Sequence, residues 1–423
     1  MSSATKANAS EAGKTQPSQA SRPSDLDRRE PFTIDVLVRW IRNAFLNTPF
    51  LLALPALVYY YDKKRSLAPS AYPDPSLSYL RHLLFTEYKW VGRWLIFGLI
   101  KKTNDVLNRY VANLGAYRAD KADWSKEVVV ITGGSAGIGK AVVEILSHVK
   151  KAKVAVLDMA PPTYAPAPAG VPPIQYYKTD VSDPAQVKAA ADQIRASLGE
   201  PTMLMNNAGL ASGDLIIDVD PERATRLWKV NTLANWITCQ EFLPHMISKN
   251  HGHVMTVASS GSFMSLPQMS EYSGTKSAVL AFFEILRGEL RSRYFAPRVR
   301  ASLCAPTKVR TSLGEGMEDH KMPFIHPNLE AFEVARKIVD AFDSGLSQYI
   351  VMPGLMRILP LARGLPDWGK RFLELAGKTD QTVSDTSMKR AFEAGYGKDW
   401  SGPEAEARKK ALERMQKRGG ASK

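Results

Sequence analysis

The sequence predicts an α/β fold: a doubly wound parallel sheet carried behind an N-terminal hydrophobic, membrane-associated extension. Three observations lead there. Between residues 127 and 352, short β-branched runs alternate with longer helical patterns, and alternation of that kind builds a parallel sheet covered by helices on both faces. A glycine-rich turn, TGGSAGIG, follows the first of these runs, and an uncharged apolar stretch, residues 45–61, precedes them all.

The extension comes first in the chain. Residues 1–30 are rich in Ser, Ala, Lys and Asn and cannot bury enough surface to offset ordering entropy, so they read as a disordered tail. Residues 31–120 form the hydrophobic extension. Its uncharged run closes on Tyr59, Tyr60 and Tyr61 ahead of Asp62, Lys63, Lys64 and Arg65, the pattern of a membrane segment with an interfacial aromatic belt. It is slightly short against the ~20 residues of a straight span, and Pro49 and Pro55 would kink it, so a hairpin or re-entrant insertion also fits. A buried core helix is the soluble alternative. Residues 83–100 are apolar but interrupted by Glu87, Lys89 and Arg93, which suits an interface better than a bilayer centre.

The sheet follows in residues 121–352. Its strands read as VVVIT, VAVLD, QYYKTD, MLMNNAG, HVMTVASS, VRASLCAP and QYIVM. Residues 160–173, after the second strand, are too rich in proline for a helix and read as a surface loop. Residues 353–423 read as a helical, basic C-terminal extension. Its apolar run 355–365 is expected to be a helix packed on the core, with lipid contact as the alternative.

Composition narrows the function. A chain of 423 residues with a formal net charge of +14 suits either nucleic acid or an anionic membrane surface. No zinc-finger spacing, RNP-like aromatic signature or basic heptad helix is present, which argues against nucleic acid. Cys239 and Cys304 lack any CxxC spacing and read as buried thiols in a reducing compartment. His251 and His253 have no ligand-like spacing and are expected at a surface or turn, so no metal is expected.

Chemistry begins at residues 132–139. A strand before the glycine turn and a helix after it are the context that a dinucleotide fingerprint needs. Gly133 allows the tight turn, Gly137 lets backbone approach the pyrophosphate, and Gly139 permits close helix packing. The helix N-terminus offers N–H groups and positive partial charge to phosphates. Thr132, Ser135 and Ile138 complete the candidate cofactor turn. Asp158, closing the second strand, can accept both adenosine-ribose hydroxyls and would repel a 2′-phosphate, which favours NAD over NADP.

Downstream, Ser259 is followed by Tyr272 and Lys276 in YSGTK. The last two are one helical turn apart and share a face. A phenol with pKa near 10 is a poor acid or base at neutral pH unless a cation stabilises its phenolate, and Lys276 supplies one. Together with NNAG at 206–209 and Asn231 in WKVNT, these residues resemble the short-chain dehydrogenase/reductase family, with its Rossmann sheet, over roughly residues 127–352.

The resemblance implies Tyr272 as general acid/base, Lys276 as its pKa modulator and nicotinamide-ribose ligand, and Ser259 as holder of the substrate oxygen. Ser260 is the neighbouring alternative, but the family's spacing to the tyrosine selects Ser259. It further implies that Asn231 positions a water in a relay ending at Lys276. Asp180 and Val181 lie against adenine, and Asn207, Ala208 and Gly209 stabilise the sheet beside the cofactor. One departure stands out: the family's Pro-Gly after the sixth strand is Pro306-Thr307 here, with Val309 and Thr311 as nicotinamide-carboxamide contacts. That form, with the hydrophobic extension, is similar to the membrane-associated branch acting on retinoids, sterols and lipid alcohols.

The expected function is therefore oxidation of a lipophilic alcohol with NAD at the endoplasmic reticulum membrane or a lipid droplet, the catalytic domain facing the cytosol. Reduction of a keto-lipid with NADPH is the neighbouring alternative. A catalytically silent membrane scaffold is the alternative of another class, and it has no need of Ser259, Asn231, Tyr272 and Lys276 together. The expected partners are a lipophilic small molecule, a membrane or droplet surface and a second copy in a homo-oligomer, not nucleic acid.

Overall fold

A computed structural model of the chain describes residues 31–65, 77–115, 119–320, 322–384, 387, 388, 409 and 413. The expected disordered tail and most of the charged C-terminal end lie outside the described residues.

The extension opens with α1 (Ile34–Phe45) and α2 (Thr48–Arg65). Of the expected apolar run 45–61, Phe45 closes α1 and residues 48–61 lie in α2. The break falls ahead of Pro49, where the Asn47 side chain accepts the Phe50 N–H at 2.7 Å and so begins a new helix. Pro55 stays within α2. Among the described residues no single helix is long and apolar enough to cross a membrane, but α1 and α2, bent by 53°, pass that test together. After α3 (Leu77–His82) a π turn, Leu83–Glu87, leads into α4 (Lys89–Ala112), so the second apolar stretch is a turn plus a helix that outruns it. Asp62 accepts hydrogen bonds from the hydroxyls of Tyr79 and Tyr88, pinning α2 to this second pair. Outward, Trp40, Leu52, Trp90 and Leu99 are more than half exposed.

The catalytic body is a seven-stranded parallel sheet. Its strands are β1 (Val128–Thr132), β2 (Lys153–Asp158), β3 (Gln175–Lys178), β4 (Met203–Asn206), β5 (Gly252–Val257), β6 (Val299–Pro306) and, last in the chain, β9 (Tyr349–Met352). They lie in the order β3-β2-β1-β4-β5-β6-β9, with the chain reversing direction of travel between β1 and β4, where doubly wound sheets place ligands. One small pair was not legible in the sequence: β7 (Val309–Arg310) and β8 (Leu329–Glu330) close the ends of the loop after β6.

Helices cover both faces. On one side lie α6 (Pro184–Ser197), α7 (Pro221–Trp228), its continuation α8 (Ala234–Lys249) and α9 (Ser270–Ser292), burying Val187, Ile194, Phe242 and Phe283 against the sheet. On the other lie α5 (Gly137–Glu144), continued by a π turn, Ile145–Val149, and α10 (Ala331–Ser344), burying Val142, Leu146, Ile338 and Phe342. Starts and stops follow local chemistry. Asp183 and Asp220 cap α6 and α7 in front of Pro184 and Pro221, and Gly345 ends α10 in the left-handed region.

Beyond β9, the apolar run 355–365 is not the single packed helix expected. It is a 3₁₀ turn, Gly354–Ile358, then the short α11 (Leu359–Ala362), with α12 (Asp367–Gly377) following Pro366. Leu359 and Ala362 are buried while Leu361, Trp368 and Phe372 face outward; Pro360 and Pro366 interrupt the helical hydrogen bonding that one rod would need. His253 also departs from expectation: it lies within β5, buried, with Nε2 on Ser302 and its ring against Phe342. Burial, with Arg300 nearby, pushes its pKa down to about 3, so it is a neutral core residue.

Candidate active site

The glycine turn is shaped by contacts that a side chain would destroy. Gly133 has φ +66°, and a Cβ there would lie 2.8 Å from Ala208 Cα. At Gly139 a Cβ would strike the Gly133 carbonyl and come within 2.7 Å of Asn207 Nδ2. No side chain caps α5, so the N-terminal N–H groups of Gly137, Ile138 and Gly139 face the turn as anion donors. Across from them stands Thr311, whose Cγ2 would be 3.1 Å from a Cβ on Gly137. This cradle of backbone donors with no room for side chains fits a dinucleotide pyrophosphate.

Neighbouring strands brace the cradle. Asn207 donates through Nδ2 to the carbonyls of Thr132 and Gly133 at 3.1 and 2.9 Å, and Thr132 Oγ1 accepts from the N–H groups of Asn207 and Ala208. At the end of β2, Asp158 accepts from Ser135 N at 2.9 Å and Ala160 N at 3.0 Å, spanning the glycine turn and the start of the proline-rich loop. That loop folds back rather than standing away: Ser135 Oγ donates to Ala160 O, and Thr163 Oγ1 donates to Ser135 O. The Ser135 hydroxyl is thereby committed to the loop. Asp180 is ion-paired with Arg226 at 2.7 Å and accepts from Ser182, while Val181 belongs to the core.

The acid/base candidates gather at the C-terminal end of β5. Ser259 follows that strand and Tyr272 and Lys276 share the inner face of α9, all three buried. The Ser259 hydroxyl lies near enough to the Tyr272 phenol to favour its ionised form. Lys276 Nζ donates to Val257 O at 2.9 Å and lies 5.9 Å from the centroid of the Tyr272 ring. Burial raises the phenol's pKa, opposed by the nearby Ser259 hydroxyl, and burial lowers that of Lys276 to about 8. The lysine stands where its charge can act on the phenolate, yet in this state burial, not the cation, dominates the phenol.

Asn231 sits in a π turn, Lys229–Leu233, between α7 and α8. Its side chain is fully engaged: Oδ1 accepts from Leu210 N at 2.7 Å, and Nδ2 donates to Leu210 O and Thr275 Oγ1. Its main-chain carbonyl accepts from Asn235 Nδ2. A Cβ added at Gly209 would lie 3.4 Å from Asn231 Oδ1 and 3.5 Å from Lys276 Nζ. Two supporting residues escape sequence reasoning: Ser262 Oγ donates to Lys276 O, and Thr275 Oγ1 donates to Tyr272 O. Pro306 closes β6 beside Met352, and Val309 and Thr311 follow on the cradle side.

A family model described as short chain dehydrogenase matches residues 127–321. The dehydrogenase RED2 of Cochliobolus heterostrophus is 42% identical over 184 residues, covering 44% of this chain and 68% of that protein. The chain belongs to the short-chain dehydrogenase family. Other relatives are epidermal retinol dehydrogenase 2 of Mus musculus, 29% identical over 56% of this chain and 80% of its own length, and human estradiol 17-beta-dehydrogenase 11, 28% identical over 58% and 81%. Among solved structures, a 3-ketoacyl-(acyl-carrier-protein) reductase from Brucella melitensis complexed with NADH aligns with TM-score 0.47 and 20% identity, over 54% of this chain and 98% of its own.

As a short-chain dehydrogenase the protein is an oxidoreductase that uses a nicotinamide cofactor and a small-molecule substrate. Its two thiols are spectators: burial pushes Cys239 and Cys304 each up to about 12 and leaves them protonated and inert. Among the described residues no cluster of three or more His, Cys, Asp or Glu side chains could hold a metal ion.

Proposed function

We propose that this short-chain dehydrogenase interconverts an alcohol and a ketone or aldehyde on a lipophilic substrate, with NAD, at a membrane surface. The observation that carries the reading is that Ser259, Tyr272 and Lys276 are buried together, with Ser259 favouring the ionised phenol and Lys276 one helical turn away. When bound, the nicotinamide supplies the hydride acceptor or donor. Everything else falls to the chain. Ser259 holds the substrate oxygen beside the Tyr272 hydroxyl, which takes or returns its proton. Lys276, buried and with its pKa near neutrality, biases the phenol toward phenolate and meets the nicotinamide ribose. Asn231, whose side chain is committed to Leu210 and Thr275, acts through its main-chain oxygen to hold the far end of a proton relay from Lys276.

Cofactor contacts follow the cradle: Thr132, Gly133, Gly137, Ile138 and Gly139 at the phosphates, Asp158 at the adenosine ribose, Asp180 and Val181 at adenine, and Asn207, Ala208 and Gly209 beneath. Pro306, Val309 and Thr311 meet the nicotinamide amide. Asp158 supports NAD over NADP because its carboxylate ends β2 where a 2′-phosphate would add like charge. Lipophilic substrate is supported by the surroundings of Tyr272, which packs with Ala211, Met269, Leu266, Leu313 and Met317, and by relatives named for retinol and estradiol.

Membrane attachment rests on the bent pair α1 and α2 and their exposed apolar side chains, with the endoplasmic reticulum or a lipid droplet as the site and the catalytic body in the cytosol. An open groove on α7 and α8, lined by Trp228, Leu233 and Trp236 but not by Ser259, Tyr272 or Lys276, supports self-association. The test is direct. Full-length protein in detergent is assayed by NADH absorbance against retinoids, sterols and long-chain alcohols; turnover of none, with cofactor bound, rejects the reading.

A further inference from the structure

The chain beyond the family match folds back onto the catalytic tyrosine. Tyr272 shares one buried apolar cluster with Val383 and Met388, more than sixty residues past the matched region's end at 321. The return is held by main chain and hydroxyls. Met317 and Val383 form an antiparallel bridge, Glu318 N donates to Thr382 O at 2.8 Å, Ser384 Oγ donates to Glu318, and Ser387 Oγ donates to Gly316 O at 2.9 Å.

At the end of this return Met388, only 4% exposed, is gripped by two glycines from different loops. A Cβ on Gly213 would lie 2.8 Å from Met388 Cγ and 2.9 Å from Cε, and one on Gly316 would lie 2.6 Å from Sδ; real Cβ atoms do not approach so closely. Both loops are rigid. Next to Gly213, Asp214 is ion-paired with buried Arg223 at 2.6 Å, and beside Gly316 the Lys308 ammonium donates to Met317 O and Asp319 at 2.6 Å each. The two glycines face the thioether with no conformational role to explain them, since neither has a positive φ.

We propose that Met388, clamped between Gly213 and Gly316, forms with Val383 the outer wall of the substrate site and sets which lipophilic substrates reach Tyr272. The proposal rests on the reading of Tyr272 as the acid/base group. A thioether suits this task, being apolar, unbranched and able to repack around different hydrocarbon shapes. The wall is supplied by sequence far from the family's motifs, so two members with identical catalytic residues can differ in substrate through this stretch alone.

Three variants of the full chain test it. Met388→Ala removes the wall, Gly213→Ala pushes the unaltered Met388 side chain aside, and Met388→Leu keeps its bulk. The first readout is the ratio of kcat/KM for a long and a short straight-chain 2-alkanol; the second is binding of a fluorescent long-chain alcohol, which needs no turnover. Met388→Ala and Gly213→Ala should each shift the ratio and the binding by roughly 10-fold or more, the scale of a few methylenes in an apolar pocket, with NADH affinity unchanged and Met388→Leu close to wild type. Lower melting temperature with an unaltered ratio and unaltered probe binding overturns the wall and leaves Met388 a packing residue. Activity surviving in Tyr272→Phe overturns the catalytic reading instead, and probe binding then still decides the wall.

Discussion

Lys276 reaches past Tyr272 to the carbonyl of Val257, so its ammonium lies 5.9 Å from the ring centroid and does not touch the phenol oxygen. The lysine therefore acts on the phenol through space, while the nearby Ser259 hydroxyl favours its ionised form. Removing only the Tyr272 hydroxyl should leave that frame intact. Tyr272→Phe is expected to lose roughly 10²–10⁴-fold in kcat, the usual contribution of a general acid/base, while NADH fluorescence titration gives wild-type affinity. Near-normal turnover would defeat the assignment.

Asp158 carries two tasks, and its replacement should report both. Asp158→Ala removes the like charge that opposes a 2′-phosphate, so the ratio of NAD to NADP affinity is expected to fall. It also strips acceptors from Ser135 N and Ala160 N, so NAD affinity itself should drop. Wild-type protein that binds NADPH more tightly than NADH would favour the keto-lipid reductase reading.

Gly139→Ala tests the cradle without touching a polar group. The new methyl would meet the Gly133 carbonyl and the Asn207 amide, and overpacking of this kind costs about 1–3 kcal/mol. Dinucleotide titration should show the loss even where the melting temperature is little changed. An unaltered affinity would mean that α5 can move away from the turn freely.

A pH effect on stability follows from His251. Its Nε2 meets Glu127 at 3.2 Å and its Nδ1 meets Asp120 at 3.1 Å, and these carboxylates, Glu127 first, raise its pKa from 6.5 to about 9. A group whose folded pKa is raised stabilises fully below its unfolded pKa and loses that contribution as pH rises through the folded value. Melting temperature is thus expected to decline between pH 6.5 and about 9, and His251→Gln should flatten the decline. A slope identical in both proteins would assign the effect to other groups.

Membrane attachment is checked by fractionation with a carbonate wash. The full chain is expected in the pellet, and a chain lacking residues 1–66 is expected to be released at least in part. Full-length protein wholly in the soluble fraction would remove α1 and α2 from the bilayer.

Where local pattern decides, the fold was legible. Tyr272 and Lys276 fall on one face because α9 is a helix, and most of the strands announce themselves as β-branched runs, β3 (QYYK) and β4 (MLMN) being aromatic and aliphatic instead. What long-range packing decides was hidden. Nothing local separates His253, whose ring is buried against Phe342, from a surface histidine. Nothing local shows that the proline-rich loop folds back to accept a hydrogen bond from the hydroxyl of Ser135, a candidate cofactor contact. Asn231 reads as a polar group free to hold water, yet its amide is spent on Leu210 and Thr275. The break at Asn47 and Pro49 was half visible, since proline marks a helix start as readily as a kink.

The Asp35 carboxylate of α1 accepts the N–H groups of Gly354 and Leu355, just beyond β9, and Phe32 packs on Phe324. Asn113, past the end of α4, likewise accepts from Ser347 N at 2.8 Å. Cutting away the first helices to gain solubility would leave two backbone donors at the sheet's exit without their carboxylate and bare one side of Phe324. A soluble yet intact version is better reached by keeping α1 and replacing its outward Val38, Trp40 and Ile41 with polar residues, because the same helix that turns apolar side chains outward on one side finishes the catalytic body on the other.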